Sequence, residues 1–179
     1  MNSQLQQKIN IKTEVILSIN NTDLADLCNI TEQAIKAGGG FGWLKPPPTE
    51  VLKKYWKGSA VIPNRKLIVG RLNKAIAGTL QLILSPSNNE AQQNNCSIIS
   101  HFVAPWARGF GLAKAMIDKA ESIGLEYGAN HVHLDVRETQ EAAIKLFESK
   151  GYSQWGTNPY YAMVEGKNIK GYYYYKKLK

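Results

Sequence analysis

Apolar positions along this chain fall into two periods, and the switches between them lay out its elements. Residues 9–19 alternate loosely around Val15-Ile16-Leu17, which predicts a first strand. Asn21, Thr22 and Asp23 then offer caps for a helix, and Leu24, Leu27, Thr31, Ala34 and Ile35 keep one of its faces mainly apolar to about residue 36. Gly38-Gly39-Gly40-Phe41-Gly42-Trp43 ends that helix as a flexible loop, which Pro46-Pro47-Pro48 stiffens. Thr49 can cap a short second helix carrying Val51, Leu52, Tyr55 and Trp56, with Gly58 near its end. Residues 66–72 and 75–85 read as two strands joined by the tight turn Asn73-Lys74, and Gly78 in the second marks a bulge or a close backbone approach.

After a polar loop over residues 85–95, an apolar, β-branched run from Ile98 to Val103 stops at Pro105. The basic turn Arg108-Gly109-Phe110-Gly111 follows, then a helix with Leu112, Met116, Ala120 and Ile123 at helical spacing, ending near Gly124 or Gly128. Residues 131–137 alternate, with Val132, Leu134 and Val136 on one face of a strand, and a helix over residues 141–150 is stopped by Gly151. Residues 153–165 read as irregular to extended. The last strand, over residues 171–178, places Tyr172 and Tyr174 on one face and Tyr173 and Tyr175 on the other. The predicted order is β-α-α-β-β-β-α-β-α-β-β, with no internal repeat. The three middle strands are consecutive and therefore antiparallel. The strands at 96–103 and 131–137 are joined by a helix and therefore parallel, through a right-handed crossover.

Strand, glycine turn and helix is how a chain presents bare N–H groups to a phosphate. The first N–H groups of a helix have no partner within it, and the helix dipole adds positive potential there. Gly109 and Gly111 leave the backbone uncovered, and Arg108 adds a fixed charge. An ordinary strand-to-helix turn containing a glycine has the same pattern. Two other phosphate loops are excluded: no Gly-Lys-Ser/Thr run exists, and the third glycine of a dinucleotide fingerprint is replaced by Lys114.

At 179 residues with 44% hydrophobic content, the expectation is one domain over residues 1–179 with a real core. The net charge of +8 suits an anionic partner, or simply a basic protein. Its basic residues are scattered apart from Lys176, Lys177 and Lys179, which argues against a nucleic-acid stripe. Cys28 and Cys96 have neither metal-ligand nor disulfide spacing and read as small buried hydrophobes in a reducing compartment; no metal is expected. The longest apolar run near the start, Val15-Ile16-Leu17, is too short for a signal peptide or a membrane span, so a cytoplasmic protein with no membrane partner is expected.

Phe102-Val103-x-Pro105, the turn Arg108-Gly-Phe-Gly111-Leu-Ala113 and the following helix resemble the acetyl-coenzyme-A motif of the GNAT superfamily of N-acetyltransferases. Ala143-Ile-Lys-Leu146-Phe147-Glu148-Ser-Lys150-Gly151-Tyr152 is similar to that family's A-x-x-L-Y-E-K-x-G-F segment, and the element order is similar from end to end. The glycine loop, the Tyr55-Trp56 helix and Asn158-Pro159-Tyr160-x-Ala162 look like a small bacterial branch of it. The resemblance implies an α/β fold with a mixed, mostly antiparallel sheet, flanking helices, and a parallel strand pair that splays apart. It implies acetyl-CoA as cosubstrate and acetyl transfer to a primary amine of a small-molecule or peptide acceptor. The amine would attack directly, through a tetrahedral intermediate, with the Val103 N–H holding the oxyanion. The pantetheine arm would pair with the backbone of His101, Phe102 and Val103 as an added strand does. Arg108, Gly109, Phe110, Gly111, Leu112 and Ala113 would wrap the diphosphate, and Gln140 stands where many members have a cofactor-contacting Asn.

Phe147 departs from the family's pattern, because many members place a Tyr there as general acid and Phe has no hydroxyl. Tyr152 is the adjacent phenol, but packing is the competing reading of it. His101 is either the base or a strand histidine satisfied within the fold, facing away from Ser100 and Phe102. Glu138, at the end of its strand, is a further base candidate, and Asp135 reads as a structural carboxylate. Phe41 and Trp43 would line the acceptor site or cap the core beside Tyr55 and Trp56, and Tyr160, with Tyr161, is a candidate from a loop. The tyrosine strand could face a groove or a second copy in a homodimer. The alternative function is a catalytically silent GNAT-fold sensor or scaffold that binds coenzyme A, for which Phe147 is the hint.

Overall fold

The computed structural model describes residues 9–39 and 41–179; the Gln- and Asn-rich start of the chain and Gly40 of the glycine loop lie outside the described residues. Strand β1 (Ile11–Ile16) leads into α1 (Asn21–Lys36) and α2 (Thr49–Val61), followed by β2 (Arg65–Leu72), β3 (Ala75–Leu84) and β4 (Asn95–Val103). Helix α3 (Leu112–Glu126), β5 (His131–Arg137), α4 (Glu141–Ser149), β6 (Ser153–Val164) and β7 (Lys167–Lys177) complete the order. The cap of α1 lies one residue before the expected candidates: Asn20, rather than Asn21, Thr22 or Asp23, is the N-cap, accepting from the Asp23 N–H at 2.9 Å. Helix α2 runs through Gly58 to Val61, because its buried face (Leu52, Trp56, Ser59) outlasts the glycine.

The strands form one seven-stranded sheet in the order β1-β2-β3-β4-β5-β7-β6, all antiparallel except β4 and β5. Residues 153–164, read as irregular to extended and counted as a strand in the predicted order, are a strand throughout; one boundary is corrected, because β7 starts at Lys167, four residues earlier than predicted. The two close as a hairpin over Glu165 and Gly166, both at positive φ, the geometry whose twist matches paired strands. Bulges hid β6 from its periodicity: the register with β7 slips at Trp155 and again over Pro159–Tyr161.

Helices α1 and α2 cover one face of β2–β4, and α3 covers the other. Leu67, Ile68 and Val69 are therefore all buried, the pattern of a strand covered on both faces. Trp56 is fully buried and donates to Thr31 Oγ1 at 3.1 Å, which ties α2 to α1. A buried aromatic of this size carries about 3–5 kcal/mol against truncation. On the α3 face, a Cβ on Gly78 would stand 2.8 Å from Met116 Cε and 2.9 Å from the Phe102 carbonyl, so the glycine marks a close approach. Tyr174 is buried with its hydroxyl on Glu148 at 3.1 Å, while Tyr173 and Tyr175 lie on the opposite, open face of the sheet.

Candidate active site

The turn after β4 ends on Gly111, which caps α3 at φ 79° with no side-chain cap bond; Gly109 sits at φ 85°. Any side chain would be strained in these conformations, and the space where either Cβ would stand is open. The first N–H groups of α3 therefore face a bare, accessible backbone, with exposed Arg108 beside them making no ion pair among the described residues. An anionic diphosphate fits this turn on charge and on space.

Next to it the sheet opens. Strands β4 and β5 pair from Asn95/His131 to Ile98/Leu134 and no further, although both continue for several residues. A bulge in β4 helps to separate them. Thr79 of β3 faces Phe102 and Gln81 faces Ile99, so Leu80 stands against both Ser100 and His101. Ser100 takes φ 49°, and its hydroxyl lies 3.3 Å from Tyr55 Oη. Tyr55 accepts from Gln81 Nε2 at 2.9 Å, and Gln81 accepts from Arg65 at 2.8 Å, so a part-buried polar chain pins the bulge. Beyond it, the Ala104 N–H bonds the Ala77 carbonyl at 2.8 Å; by antiparallel alternation the Val103 N–H points the other way, into the gap. The open strand edge and the bare turn together fit a pantetheine arm continuing into a diphosphate.

On the α1/α2 side the gap widens into a cleft of about 520 Å³. Phe41 forms one wall. It stacks on Trp43 at 5.4 Å and meets Tyr55, Trp56 and Phe102 edge-on. Its loop is fastened from across the gap: Arg137 of β5 donates to the Phe41 carbonyl, and Gln140 Nε2 donates to the Gly38 carbonyl at 2.7 Å. The opposite wall holds Asp135 of β5, and Tyr161 of β6, whose hydroxyl donates to Asp135 Oδ2. Burial, and then this carboxylate, push the Tyr161 phenol pKa up, so it keeps its proton.

Of the side chains expected at the site, Phe41, His101 and Gln140 line the cleft. His101 does face away from Ser100 and Phe102, against Phe147 at 5.8 Å. Its Nε2 is enclosed by protein without a hydrogen-bond partner, and burial pulls its pKa down to about 4, only partly opposed by the backbone at Ala113. Such an imidazole is neutral at pH 7 and a weak proton acceptor. Phe147 is buried between His101 and Tyr152 and closes the floor. Tyr152 is 3% exposed, its hydroxyl is enclosed and unpartnered, and burial followed by Glu121 raises its pKa; it packs behind Phe147 and lies outside the cleft. Glu138 turns away to accept from the Lys170 N–H at 2.9 Å, because β7 extends alongside it. Trp43 is the second layer behind Phe41. Tyr160 is 75% exposed and lies on β6, not on a loop, with its neighbour Tyr161 taking the inward position. Tyr161 was a candidate beside Tyr160, whereas Asp135 and Arg137 were not singled out as site residues by the sequence pattern. Their signal was the pairing of Asp135 with Arg137 at strand spacing, which puts both on one face.

Residues 27–152 match the model of the acetyltransferase (GNAT) family. The chain belongs to that family. This makes it an N-acetyltransferase, and the family's acyl donor is acetyl-CoA. Within the family it is 46% identical over 130 residues to an uncharacterized N-acetyltransferase encoded in the hisH–hisA intergenic region of Azospirillum brasilense, covering 73% of this chain and 77% of that one. Its fold matches that of an N-acetyltransferase from Staphylococcus aureus Mu50 with a TM-score of 0.79 at 18% identity, over 95% of this chain and 99% of the other. It also matches a Salmonella typhimurium protein assigned as an acetyltransferase and solved with its cofactor acetyl-CoA, with a TM-score of 0.75 at 14% identity, over 94% of each chain.

Proposed function

We propose that this GNAT protein moves an acetyl group from acetyl-CoA to a primary amine of a small-molecule or peptide acceptor, by direct attack within the β4–β5 gap. The observation that carries this reading is the gap itself: a strand edge left unpaired beyond Ile98 and Leu134, with the bare glycine turn at one end and a side-chain-lined cleft at the other. Bound acetyl-CoA supplies a thioester carbonyl there. Arg108 and the backbone from Gly109 to Ala113 hold the diphosphate, and the backbone of His101, Phe102 and Val103 aligns the pantetheine arm. The Val103 N–H faces the gap, where it stabilises negative charge developing on a carbonyl oxygen. The acceptor's ammonium gives a proton to solvent and attacks as the neutral amine. As the C–N bond forms and the C–S bond breaks, the nitrogen loses a second proton to solvent. Because Phe147 offers none, the departing thiolate takes its proton from solvent, which a thiol of pKa near 8–9 tolerates. Among the described residues no helix is long and apolar enough to cross a membrane, and we assign the protein to the cytoplasm.

The test is initial-rate kinetics by free-thiol release over a panel of amines. Intersecting lines in double-reciprocal plots are expected, because both substrates must be present together. Parallel lines would mean an acetylated enzyme and would overturn direct attack. No turnover of any amine, with acetyl-CoA still bound, would overturn the amine-transfer reading itself. In the same preparation Arg108→Ala should weaken acetyl-CoA binding by calorimetry about tenfold, the scale of one charge-assisted phosphate contact.

A further inference from the structure

The cleft also carries a description of its acceptor. We propose that Asp135 and Tyr161 form a seat for the acceptor's ammonium group, and that the acceptor carries this amine on an apolar body without an adjacent anion. The inference rests on reading the cleft as the acceptor site.

Tyr161 reaches the cleft through a break in the β6–β7 ladder. Asn158 faces Gly171 and Ala162 faces Ile169, so Pro159, Tyr160 and Tyr161 together stand against Lys170 alone. The surplus turns the Tyr161 ring down onto Gly171, where a Cβ would lie 2.2 Å from Tyr161 Cγ. Gly171 is thus the socket for the ring. From that position the phenol spends its one proton on Asp135 Oδ2. What remains facing the cleft is a phenolic lone pair and Asp135 Oδ1, which makes no hydrogen bond among the described residues. Two acceptors and a negative charge, with no uncommitted donor between them, complement a group that has three donors and no acceptor. An ammonium is that group.

The rest of the lining decides what may be attached to it. Asp135 is the single carboxylate among the lining residues, since Glu138 is turned to Lys170. Arg137 is the single cation among the lining residues, and one of its N–H groups donates to the Phe41 carbonyl. Leu44 and Met163, 51% and 66% exposed, reach the cleft from the loop after α1 and from β6. Two exposed large apolar side chains at one opening are a surface for an apolar body to cover. A carboxylate next to the amine would instead sit against Asp135.

The probe is 2-phenylethylamine, compared with phenylalanine and phenylalanine amide. Calorimetry with the full chain in the presence of coenzyme A reads binding alone, and thiol release with acetyl-CoA reads turnover. The proposal expects 2-phenylethylamine and phenylalanine amide to be favoured over phenylalanine by about tenfold or more. Asp135→Asn retains a carbonyl for the Tyr161 hydroxyl but loses the charge, and should weaken 2-phenylethylamine binding at least tenfold with acetyl-CoA affinity unchanged. Tyr161→Phe should weaken it severalfold. Unchanged amine binding in Asp135→Asn, no binding of 2-phenylethylamine, or a preference for free phenylalanine would overturn the proposal. Amines that bind as expected but are never acetylated would leave the seat standing and overturn the transfer reading instead, so the two failures are distinguishable.

Discussion

The chain has two glycine-rich loops, and they are built in opposite ways. The turn from Arg108 to Gly111 is bare. Its glycines stand at positive φ with open space over them, nothing caps the helix it starts, and its aromatic residue, Phe110, is exposed. The loop holding Phe41 is full. Its ring is buried in a stack of four other aromatic side chains, and two polar side chains from the far side of the gap grip its carbonyls. The first loop works through its backbone, which is the same in every protein, so it suits a ligand shared by a whole family. The second works through side-chain packing, which differs from chain to chain, so it suits the substrate that distinguishes one member from another.

The largest effect that separates the two belongs to the bare loop. Gly111→Val forces a β-branched side chain into φ 79° at the start of α3. The turn must rearrange, and acetyl-CoA affinity by calorimetry should fall about 100-fold, close to 3 kcal/mol. Because no neighbour occupies the space above Gly111, the core does not pay for the change, and the melting temperature should drop by only a few degrees. Equal losses in affinity and in fold stability would mean that the turn is structural, and the contrast between the loops would collapse.

That asymmetry also explains what could be read in the sequence. The bare loop was legible because backbone-mediated binding leaves a composition: glycines, a basic residue, and a helix beginning where the strand ends. The parallel β4–β5 pair and the packing of α1 and α2 were legible for the same reason, since periodicity records burial. The cleft on the α1/α2 side was largely illegible. Tyr161 enters it only because three residues of β6 oppose one of β7, and a bulge has no fixed sequence mark. Asp135 looked structural because a lone carboxylate on a strand usually is, and only the Tyr161 hydroxyl reveals where it points. Tyr152 attracted attention as the phenol nearest Phe147 and Glu138 as the carboxylate at the end of its strand, yet one packs into the core and the other binds the Lys170 backbone. His101 was half legible. Strand parity put it on the correct face, but parity cannot tell a ring edge that faces ligand from one that faces protein.

His101 sharpens the comparison from the cofactor side. Its folded pKa of about 4 lies below the ordinary 6.5, so between these values the unfolded chain binds the proton and the folded chain does not. The stability it contributes is therefore complete above pH 6.5 and is lost as pH falls toward 4. From pH 7 to pH 5 this one group should cost about 2 kcal/mol. Replacing it by Phe removes the titration, so the His101→Phe chain should lose less stability than the parent over that interval, measured by denaturant unfolding at both pH values. The same variant should keep its pH–rate profile if the ring is a wall of the gap and not the base. A profile that loses its acidic limb in His101→Phe would return the histidine to catalysis.

The smallest effect lies in the full loop and concerns Gln140. Its place in the chain suggested a cofactor contact, whereas its amide is spent on the Gly38 carbonyl at 2.7 Å. Gln140→Ala removes one part-exposed hydrogen bond, worth about 1 kcal/mol, from a loop that Arg137 and the aromatic stack still hold. The loop should loosen without detaching. Acceptor KM should then rise about fivefold, with acetyl-CoA affinity unchanged, because the residue acts through the position of Phe41. A cofactor contact predicts the reverse, with acetyl-CoA binding weakened and the acceptor unaffected. Gln140→Glu distinguishes the two again. A carboxylate cannot donate to Gly38, so loop positioning fails as it does in Gln140→Ala. Toward an anionic cofactor it would be worse than alanine. If Gln140→Glu weakens acetyl-CoA binding more than Gln140→Ala does, the side chain reaches the cofactor after all; if the two variants agree, its work is confined to the loop that meets the acceptor.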